Sequence, residues 1–390
     1  MLLHFLSACG GSGVHPLGDE PVDLGPDAES EDITDAPGAG FPFDGNEVFE
    51  IAIDIPQSSL DILCRTCAPV PATFKFAGFE HEVGVSYKGA STYDDLSGKP
   101  SFKLNFGEFT PGARFLGLER LTLNGMKFDG SKLREAVAYH LWEQLEVPAP
   151  RWGFAHLTVN GEDMGLYGLL EPLDEHFLKR GFPDNADGNL YDTTFISSDL
   201  TSTQVGTFVQ EEGDPATAGA DLQSLVAALD TGNILDVIQT RFDPESTFRF
   251  LALDLAGPNY DGYSRNMNNY LLYHAMPSDK WSFVPWGQDR ALYGGGPIYA
   301  QMKGRIATAC SADPACQAEI TSRIYDLLDI WEGQDLLGWT QAVTDEITAA
   351  CVADPRKQED CDQQEMIDHV SIRPDEVRMF LENPPPETTP

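Results

Sequence analysis

The sequence predicts an α+β protein with two lobes, a sheet-rich first half and a helix-rich second half. Its 390 residues exceed the roughly 250–300 residues at which a single hydrophobic core stops growing. The hydrophobic content of 42% and aromatic content of 10% are ordinary for a folded protein. Apolar residues alternate with polar ones up to residue 171 and recur with helical spacing after it. We therefore expect an N-lobe at 46–171 and a C-lobe at 172–384.

Both ends of the chain are predicted to lie outside this folded body. Leu6-Ser7-Ala8-Cys9 before a glycine-rich run resembles a bacterial lipobox, which makes residues 1–9 a truncated lipoprotein signal. The stretch before Cys9 is short and has no basic residue, so a chance match is the alternative. Residues 10–45 hold nine acidic residues, eight Gly, five Pro and no Lys or Arg, which predicts a disordered tether. Residues 385–390 are predicted to be a frayed tail.

The remaining six cysteines fall into three close pairs along the chain. Local disulfides in an oxidising compartment would explain this spacing, so we expect an extracytoplasmic protein. A zinc knuckle at the first pair is the alternative, although neither a second pair nor histidines follow at finger spacing. No stretch approaches 18 apolar residues, so contact with a membrane is expected only through a lipid anchor at Cys9. The three pairs are Cys64 with Cys67, Cys310 with Cys316, and Cys351 with Cys361.

The charge of the chain limits its partners. There are 62 acidic and 25 basic side chains, a net charge of −37. Neutralising the phosphates of a nucleic acid needs clustered Lys and Arg, so a nucleic-acid partner is excluded. Docking on an anionic membrane surface is disfavoured for the same reason. An anionic ligand would have to meet a metal ion or a few well-placed cations.

The predicted N-lobe contains short strands and one main helix. In the segment 101–106, Phe102 and Leu104 point to one face and Lys103 to the other. Ser131 is predicted to cap a helix over 132–144. A short helix is expected at 57–63. The predicted strands are 48–53, 72–76, 82–87, 101–106, 153–159 and 165–170, the last two joined by an Asn160-Gly161 turn.

The predicted C-lobe is mostly helical. A turn is expected at 188–191, and a hairpin is expected to join 268–274 to 281–284. Asp313-Pro314 is typical of a helix start, because an Asp cap precedes a proline at the first helical position. The predicted helices are 173–180, 221–229, 234–241, 244–256, 313–328, 333–351 and 363–382.

Candidate catalytic residues cluster around that hairpin. The usual zinc-hydrolase, serine-hydrolase and Walker motifs are absent, and the eight histidines are scattered. Asp261 and Asn266 are five residues apart, the spacing of the catalytic Asp and the metal-binding Asn in kinase loops. Asp289 follows the hairpin, where such a fold places its main Mg²⁺ ligand. The alternative is that Asp261-Gly262 is a simple turn and Asp289 a cap.

Short motifs over roughly residues 48–295 go beyond spacing, and their order along the chain resembles the CotH family of secreted spore-coat-protein-H-type kinases. That resemblance implies a two-lobed atypical protein-kinase-like fold. The motifs are Val83–Thr92, Lys99–Phe106, Leu121–Asn124, Leu133-Arg134-Glu135, Val147–Arg151, Val159–Tyr167, Leu170–Asp174, Gly188–Tyr191, Asp261–Asn269 and Pro285-Trp286-x-x-Asp289.

The resemblance implies a phosphotransferase that uses ATP with Mg²⁺ or Mn²⁺ and acts on Ser or Thr of an extracytoplasmic protein. Asp261 would orient or deprotonate the acceptor hydroxyl. Asn266 and Asp289 resemble the metal ligands. We expect the protein to be a monomer.

Four further residues are expected to contact the nucleotide. Lys103, or with less support Lys99, would bind the α- and β-phosphates, with Glu135 as its ion-pair partner. A solvent-exposed carboxylate is the alternative for Glu135. Glu171 would lie in the hinge beside the adenine. The segment 89–92 would cover the phosphates through backbone N–H groups or form a plain turn.

One departure from the family pattern bears on activity. The family usually has Trp-Asp-x-Asp after the hairpin, whereas this chain has Trp286-Gly287-Gln288-Asp289. The alternative function is therefore a weak or inactive surface scaffold or binding protein. A third interpretation, a calcium-binding hydrolase, draws on Asp184 and Asp187, but that loop is too short for an EF-hand.

Overall fold

The computed structural model describes residues 42–43, 45, 47–64, 67–89, 92–193 and 197–383. The signal-like residues 1–9, the tether up to residue 41 and the tail at 385–390 lie outside the described residues. Ala90 and Ser91 of the expected phosphate loop lie outside them as well. Those predictions, and the lobe boundaries, stay predictions.

Seven strands of the N-terminal half close into a barrel in the order β1-β2-β3-β4-β5-β7-β6. The closure depends on β1, which pairs antiparallel with β2 and parallel with β6. A short helix, α1 (Gln57–Leu60), follows the first strand. The strands are β1 (Val48–Asp54), β2 (Val70–Phe76), β3 (Phe79–Lys88), β4 (Ser101–Asn105), β5 (Arg120–Asn124), β6 (Trp152–Val159) and β7 (Glu162–Leu170).

Side-chain alternation separates the barrel core from its outer face. On β4, Phe102 and Leu104 are buried in the barrel core and Lys103 is exposed, which confirms the predicted alternation. On β3, Val85 points inward, so Lys88, three residues further on, belongs to the outer face. The outer ends of β3, β4 and β5 therefore carry the polar side chains that face the C-terminal half.

The main N-lobe helix, α2 (Arg134–Gln144), begins two residues later than predicted. Lys132 has a positive φ of 62°, which interrupts helical geometry before the first turn. The cap also differs, since Asp129 accepts from the backbone N–H of Arg134 at 2.9 Å. Ser131 instead accepts from the backbone N–H of Leu133 at 3.1 Å. The helix packs against β6 on the outside of the barrel.

The C-terminal half holds a second, four-stranded sheet in the order β11-β10-β8-β9, surrounded by helices. The turn predicted at 188–191 is wrong, because Leu190 and Tyr191 pair with β10 as part of a strand. Short elements that the sequence did not predict are β9, α7 and α8. The strands are β8 (Asn189–Thr193), β9 (Phe208–Glu212), β10 (Tyr270–Ala275) and β11 (Lys280–Pro285).

The helices of this half confirm most of the predicted segments. Asp313 caps α9, with Pro314 at its first position, as predicted. Asp335 caps α10, which shifts the start of that helix from 333 to 336. The helices are α3 (Glu175–Gly181), α4 (Ala220–Thr231), α5 (Ile234–Arg241), α6 (Pro244–Ala256), α7 (Tyr263–Asn266), α8 (Arg305–Ala312), α9 (Pro314–Gly333), α10 (Leu336–Ala353) and α11 (Gln363–Glu382).

All three predicted cysteine pairs form disulfides, with Cα–Cα distances of 5.0–6.1 Å. The zinc alternative for Cys64 and Cys67 is therefore wrong. Across the part of the chain that the structure describes, no helix is both long and apolar enough to cross a bilayer. The C-terminal helices also return to the first half, where α10 contacts β1 and β7.

Candidate active site

The loop between α6 and β10 presents Asp261 in a network of amide donors. The side-chain N–H groups of Asn266 and Asn269 donate to its two carboxylate oxygens at 2.6 and 3.2 Å. Its backbone N–H donates to the side chain of Asn259 at 3.3 Å. Buried Asp254, at the end of α6, accepts from the backbone N–H of Ser264 at 2.7 Å and so anchors the turn. The loop therefore holds the Asp261 carboxylate in a fixed orientation.

Asn269 joins this loop to the segment that carries Asp289. Its side chain donates to the carbonyl oxygen of Gly287 at 2.8 Å, and its own carbonyl accepts from the backbone N–H of Trp286 at 3.2 Å. Asp289 thus lies within electrostatic range of Asp261. Burial raises the pKa of Asp289 to about 6, an effect that Lys88 opposes and that the charge of Asp261 strengthens.

A buried carboxylate and a half-buried ammonium complete the cluster. Glu135 is buried and accepts from the side chain of Asn124 at 2.6 Å and from the backbone N–H of Gln288 at 3.2 Å. This contradicts the alternative of a solvent-exposed Glu135. Lys88 interacts electrostatically with Glu135 and Asp289, and its Nζ lies 5.4 Å from the ring centroid of Trp286.

Burial pushes both members of this pair toward their neutral forms. It raises the pKa of Glu135 to about 8, with Asp289 adding to the rise and Lys88 opposing it. It lowers the pKa of the Lys88 ammonium, against the attraction of Glu135 and Asp289. The site therefore concentrates carboxylates where little solvent screens them.

The donor set fits a hard divalent cation. Within the described ranges, no cluster of three or more His, Cys, Asp or Glu side chains is arranged to hold a metal ion. A cation here would be held by the Asp289 carboxylate and the Asn266 amide oxygen, with the Asp261 carboxylate beside them. These are oxygen donors of the kind that Mg²⁺ and Mn²⁺ prefer. The negative charge that raises the pKa of Asp289 would stabilise such an ion.

The structure does not bring Lys99 to this cluster. The Lys99 side chain is buried elsewhere in an ion pair with Asp354, and its Nζ lies 5.1 Å from the ring centroid of Tyr167. The exposed Lys103 is nearer, because β4 places it opposite Ser86, two residues before Lys88. It lies within electrostatic range of Lys88. Lys88 is thus the lysine within electrostatic range of Glu135, where the sequence predicted Lys103 or Lys99.

Glu171 lies at the end of β7, but its carboxylate is occupied by arginines. Arg151 donates to it at 2.9 Å, and Arg180 donates to its other oxygen at 2.6 Å. The Glu171 side chain is buried, so it holds the connection between β7 and α3 together. The structure offers that side chain no contact with the Asp261 and Asp289 cluster.

A cavity of about 700 Å³ lies apart from this cluster and contains none of the predicted site residues. Two of its carboxylates, those of Asp221 and Glu212, are engaged by neighbours. Asp221 accepts from the hydroxyl of Tyr191 at 2.6 Å and pairs with His274 at 2.8 Å. Glu212 pairs with Arg120 at 2.8 Å. We therefore attribute this lining to the stability of the second sheet.

Comparison with known families places the whole arrangement in context. The model of the family described as "CotH kinase protein" matches residues 85–370, well over half of the chain. The chain belongs to the CotH kinase protein family. The match extends past residue 295, where the resemblance read from short motifs ended, and includes most of the C-terminal helices. Membership confirms the predicted two-lobed, kinase-like α+β fold and supports a kinase-like function.

One curated relative of this chain has low sequence identity to it. Inner spore coat protein H of Bacillus subtilis is 27% identical over 234 residues, which cover 57% of this chain and 62% of that protein. The chain thus spans less than two thirds of the length of that relative. A structural alignment with the Helicobacter pylori proinflammatory kinase CtkA covers 71% of this chain and 90% of that one, at 13% identity and a TM-score of 0.30. The Golgi casein kinase aligns over 87% and 76%, at 10% identity and a TM-score of 0.32. Scores this low carry no structural argument.

Several residues of this CotH site were missed at the sequence level. Lys88 lies at the end of a predicted strand segment, and the strand alternation that assigned Lys103 also places Lys88 on the outer face. Asn124 and Asn269 lie within the family-like motifs Leu121–Asn124 and Asp261–Asn269, but the sequence assigned them no role. Gln288 had no signal, because its contact with Glu135 uses a backbone N–H that any residue could supply.

Proposed function

We propose that this CotH protein is an extracytoplasmic kinase that transfers the γ-phosphate of ATP to Ser or Thr hydroxyls of proteins. The observation that carries the proposal is the convergence of Asp261, Asp289 and the Lys88–Glu135 pair. They come from four segments whose named residues are separated by between 28 and 201 positions in the sequence. A cluster of this composition suits the neutralisation of a metal-bound triphosphate.

Each side chain has a role that its contacts support. Asp261, held by Asn269, would accept a hydrogen bond from the acceptor hydroxyl and take its proton as the new P–O bond forms. The γ-phosphorus leaves the β–γ bridging oxygen, so ADP departs with that bond's electron pair. Asp289 and the amide oxygen of Asn266 would hold the divalent cation, which neutralises charge on the phosphates. Lys88, oriented by Glu135, would contact the α- and β-phosphates, with Lys103 as the second cation at the opening.

The compartment follows from the cysteines. Three disulfides fit an oxidising environment. We propose that Cys9 carries a lipid that anchors the protein at the bacterial surface. Radiolabelled palmitate incorporated by cells expressing the wild type but not Cys9→Ala supports the anchor, and equal labelling of the two contradicts it.

The test of the kinase function is incubation of the purified protein with radiolabelled ATP, Mg²⁺ or Mn²⁺ and a Ser-rich protein substrate. Asp261→Asn and Asp289→Asn should each reduce labelling at least about a hundredfold. The matched control is Asp184→Asn, an exposed carboxylate away from the cluster. Wild-type labelling no greater than that of the two site variants would falsify the kinase proposal.

The second candidate, an inactive CotH scaffold, rests on Gly287. The side chain of Asn269 occupies the space beside it, since a Cβ at Gly287 would lie 2.9 Å from Asn269 Cγ. A carboxylate that the family usually has is thus replaced by an amide from another segment. Calorimetric titration with Mg²⁺ and ATP separates the candidates, because the scaffold predicts no heat of binding above that of Asp289→Asn.

A further inference from the structure

The disulfide loop, defined here as residues 351–361, extends from the C-terminal helices onto the barrel. Asp354 in this loop forms a buried ion pair with Lys99 of the N-terminal half, 255 residues away in sequence. It also accepts from the backbone N–H of Leu166 on β7 at 3.1 Å. The approach is close, because a Cβ at Gly165 would overlap the Asp354 carboxylate. The loop is thus held against the barrel by the Lys99–Asp354 ion pair, and it packs closely on β7 at Gly165.

Arg356 adds a second set of contacts from the same loop. Its guanidinium donates to the carbonyl oxygens of Leu96 and Gly98 at 2.6 and 2.8 Å. It also pairs with Glu162 at 2.8 Å. These carbonyls precede β4, so the loop bridges two separate segments of the barrel.

The chain that leaves the loop then reaches the start of α2. The backbone N–H of Asp362 donates to the carbonyl oxygen of Gly130 at 3.1 Å. Glu365 pairs with Arg134 at 2.7 Å. Arg134 is buried, directly precedes Glu135 and donates to the carbonyl oxygen of Leu292 at 3.1 Å. Arg134 therefore connects the C-terminal segment, the Glu135 helix and the segment after Asp289.

We propose that the disulfide loop and Glu365 form a clasp that holds α2 in the position where Glu135 meets Lys88. Within this clasp, Asp354 and Glu365 are positioning residues, since neither contacts the Asp261 and Asp289 cluster. This inference rests on the proposed kinase function for its catalytic consequence, but the positioning itself does not. The clasp would keep the Glu135 helix engaged without a separate activating partner.

The clasp would be stabilised by the Cys351–Cys361 disulfide together with the buried Lys99–Asp354 ion pair. The Cys351–Cys361 bond closes a segment with a sequence separation of 10, which limits the conformations of the loop when it leaves the barrel. Lys99 is buried, so it needs Asp354 as its counter-charge, and separating them would leave both charges without a partner. Opening the disulfide would let the loop move away and would weaken the contacts at Gly130 and Arg134.

The test measures hydrogen exchange of backbone amides in the full chain. The variants are Cys351→Ser with Cys361→Ser, and separately Glu365→Gln, whose side chain is 42% exposed, so the fold should tolerate the change. The matched control is Cys64→Ser with Cys67→Ser, which removes a disulfide remote from α2. Helix α4, which does not belong to the clasp, serves as the internal reference.

The clasp predicts at least tenfold faster exchange in α2 for both test variants, unchanged exchange in α4, and no change in the control. Unchanged α2 exchange, or equal acceleration in α2 and α4, overturns the proposal in favour of general stabilisation. The readout needs no nucleotide. Faster α2 exchange with an inactive wild type would therefore contradict the kinase function and leave the clasp supported.

Discussion

Replacing Lys88 with Met separates the catalytic role of this lysine from its structural role. Lys88 is the cation that acts on both Glu135 and Asp289. If it binds the phosphates, Lys88→Met should reduce phosphoryl transfer about 10²–10³-fold, the loss seen when one preorganised charge donor is removed, or about 2.7–4 kcal/mol. Lys103→Met is the matched control, because Lys103 is an exposed lysine on the neighbouring strand. It should cost less than about tenfold.

The stability of the Lys88→Met variant should change much less than its activity. Breaking a buried ion pair costs about 3–5 kcal/mol when a charge is left without its partner. Because burial raises the pKa of Glu135 to about 8, its neutral form is favoured at pH 7 in the nucleotide-free protein. The variant therefore leaves a neutral carboxyl behind, and we expect a loss below about 2 kcal/mol at that pH.

The contribution of Glu135 to the free energy of unfolding should change with pH in a defined direction. A carboxyl whose folded pKa is raised favours the folded state at low pH, and that contribution is lost as the pH rises from about 4.5 through about 8. Without Lys88, which opposes the rise in the pKa of Glu135, the loss should be larger and should extend to higher pH. Urea unfolding of wild type and Lys88→Met at pH 6, 7 and 9 measures the difference. A loss of about 3 kcal/mol or more at pH 7, the cost of breaking a buried ion pair, would refute the reasoning. A larger activity loss in Lys103→Met than in Lys88→Met would refute it as well.

Three further predictions follow from the structure. Burial acts to lower the pKa of His274, but its hydrogen bonds to Asp221 and Asp279 raise it above 6.5. The contribution of His274 to the stability of the fold should be complete below about pH 6.5 and lost as the pH rises through the folded pKa. A His274→Gln variant with unchanged pH dependence of urea unfolding would contradict this. Gly287→Asp should lose about 1–3 kcal/mol and gain no activity, because Gly287 has a φ of +52° and a Cβ there meets Asn269; a thermal melt matching wild type would show that the site has room. Thiol titration of the Cys9→Ala variant under denaturing, non-reducing conditions should find no free thiol, since three disulfides use the other six cysteines, and two or more would contradict the pairing.

Most strands, the long helices and the disulfide pairs could be predicted because their signals are local, whereas β5, β8 and β9 were not predicted as strands. Phe102 and Leu104 alternate with Lys103 within one strand, and Asp313-Pro314 marks a helix start in two residues. The closure of the barrel could not be predicted in this way. It depends on β1 pairing with β6 about a hundred residues away, and no periodicity within either strand specifies its partner.

The residues of the candidate site also divide into those with local sequence signals and those that only tertiary contacts bring together. Asp261, Asn266 and Asp289 could be proposed because a loop and a hairpin keep them close in sequence. The sequence could not distinguish Lys88 from Lys103, because both lysines alternate outward on neighbouring strands. Only the packing of α2, which brings Glu135 under the end of β3, distinguishes Lys88 from Lys103. That packing depends on tertiary contacts such as the hydrogen bond from Asn124 to Glu135.

The ion pair between Lys99 and Asp354 also constrains the order in which the chain can fold. Because 255 residues separate the two, the barrel cannot neutralise its buried lysine until nearly the whole chain has been made. A chain that ends before residue 354 would leave the Lys99 ammonium buried without a counter-charge. Such long-range contacts slow folding. The N-terminal half is therefore unlike a domain that completes its folding during synthesis, because its final packing needs the last helices of the chain.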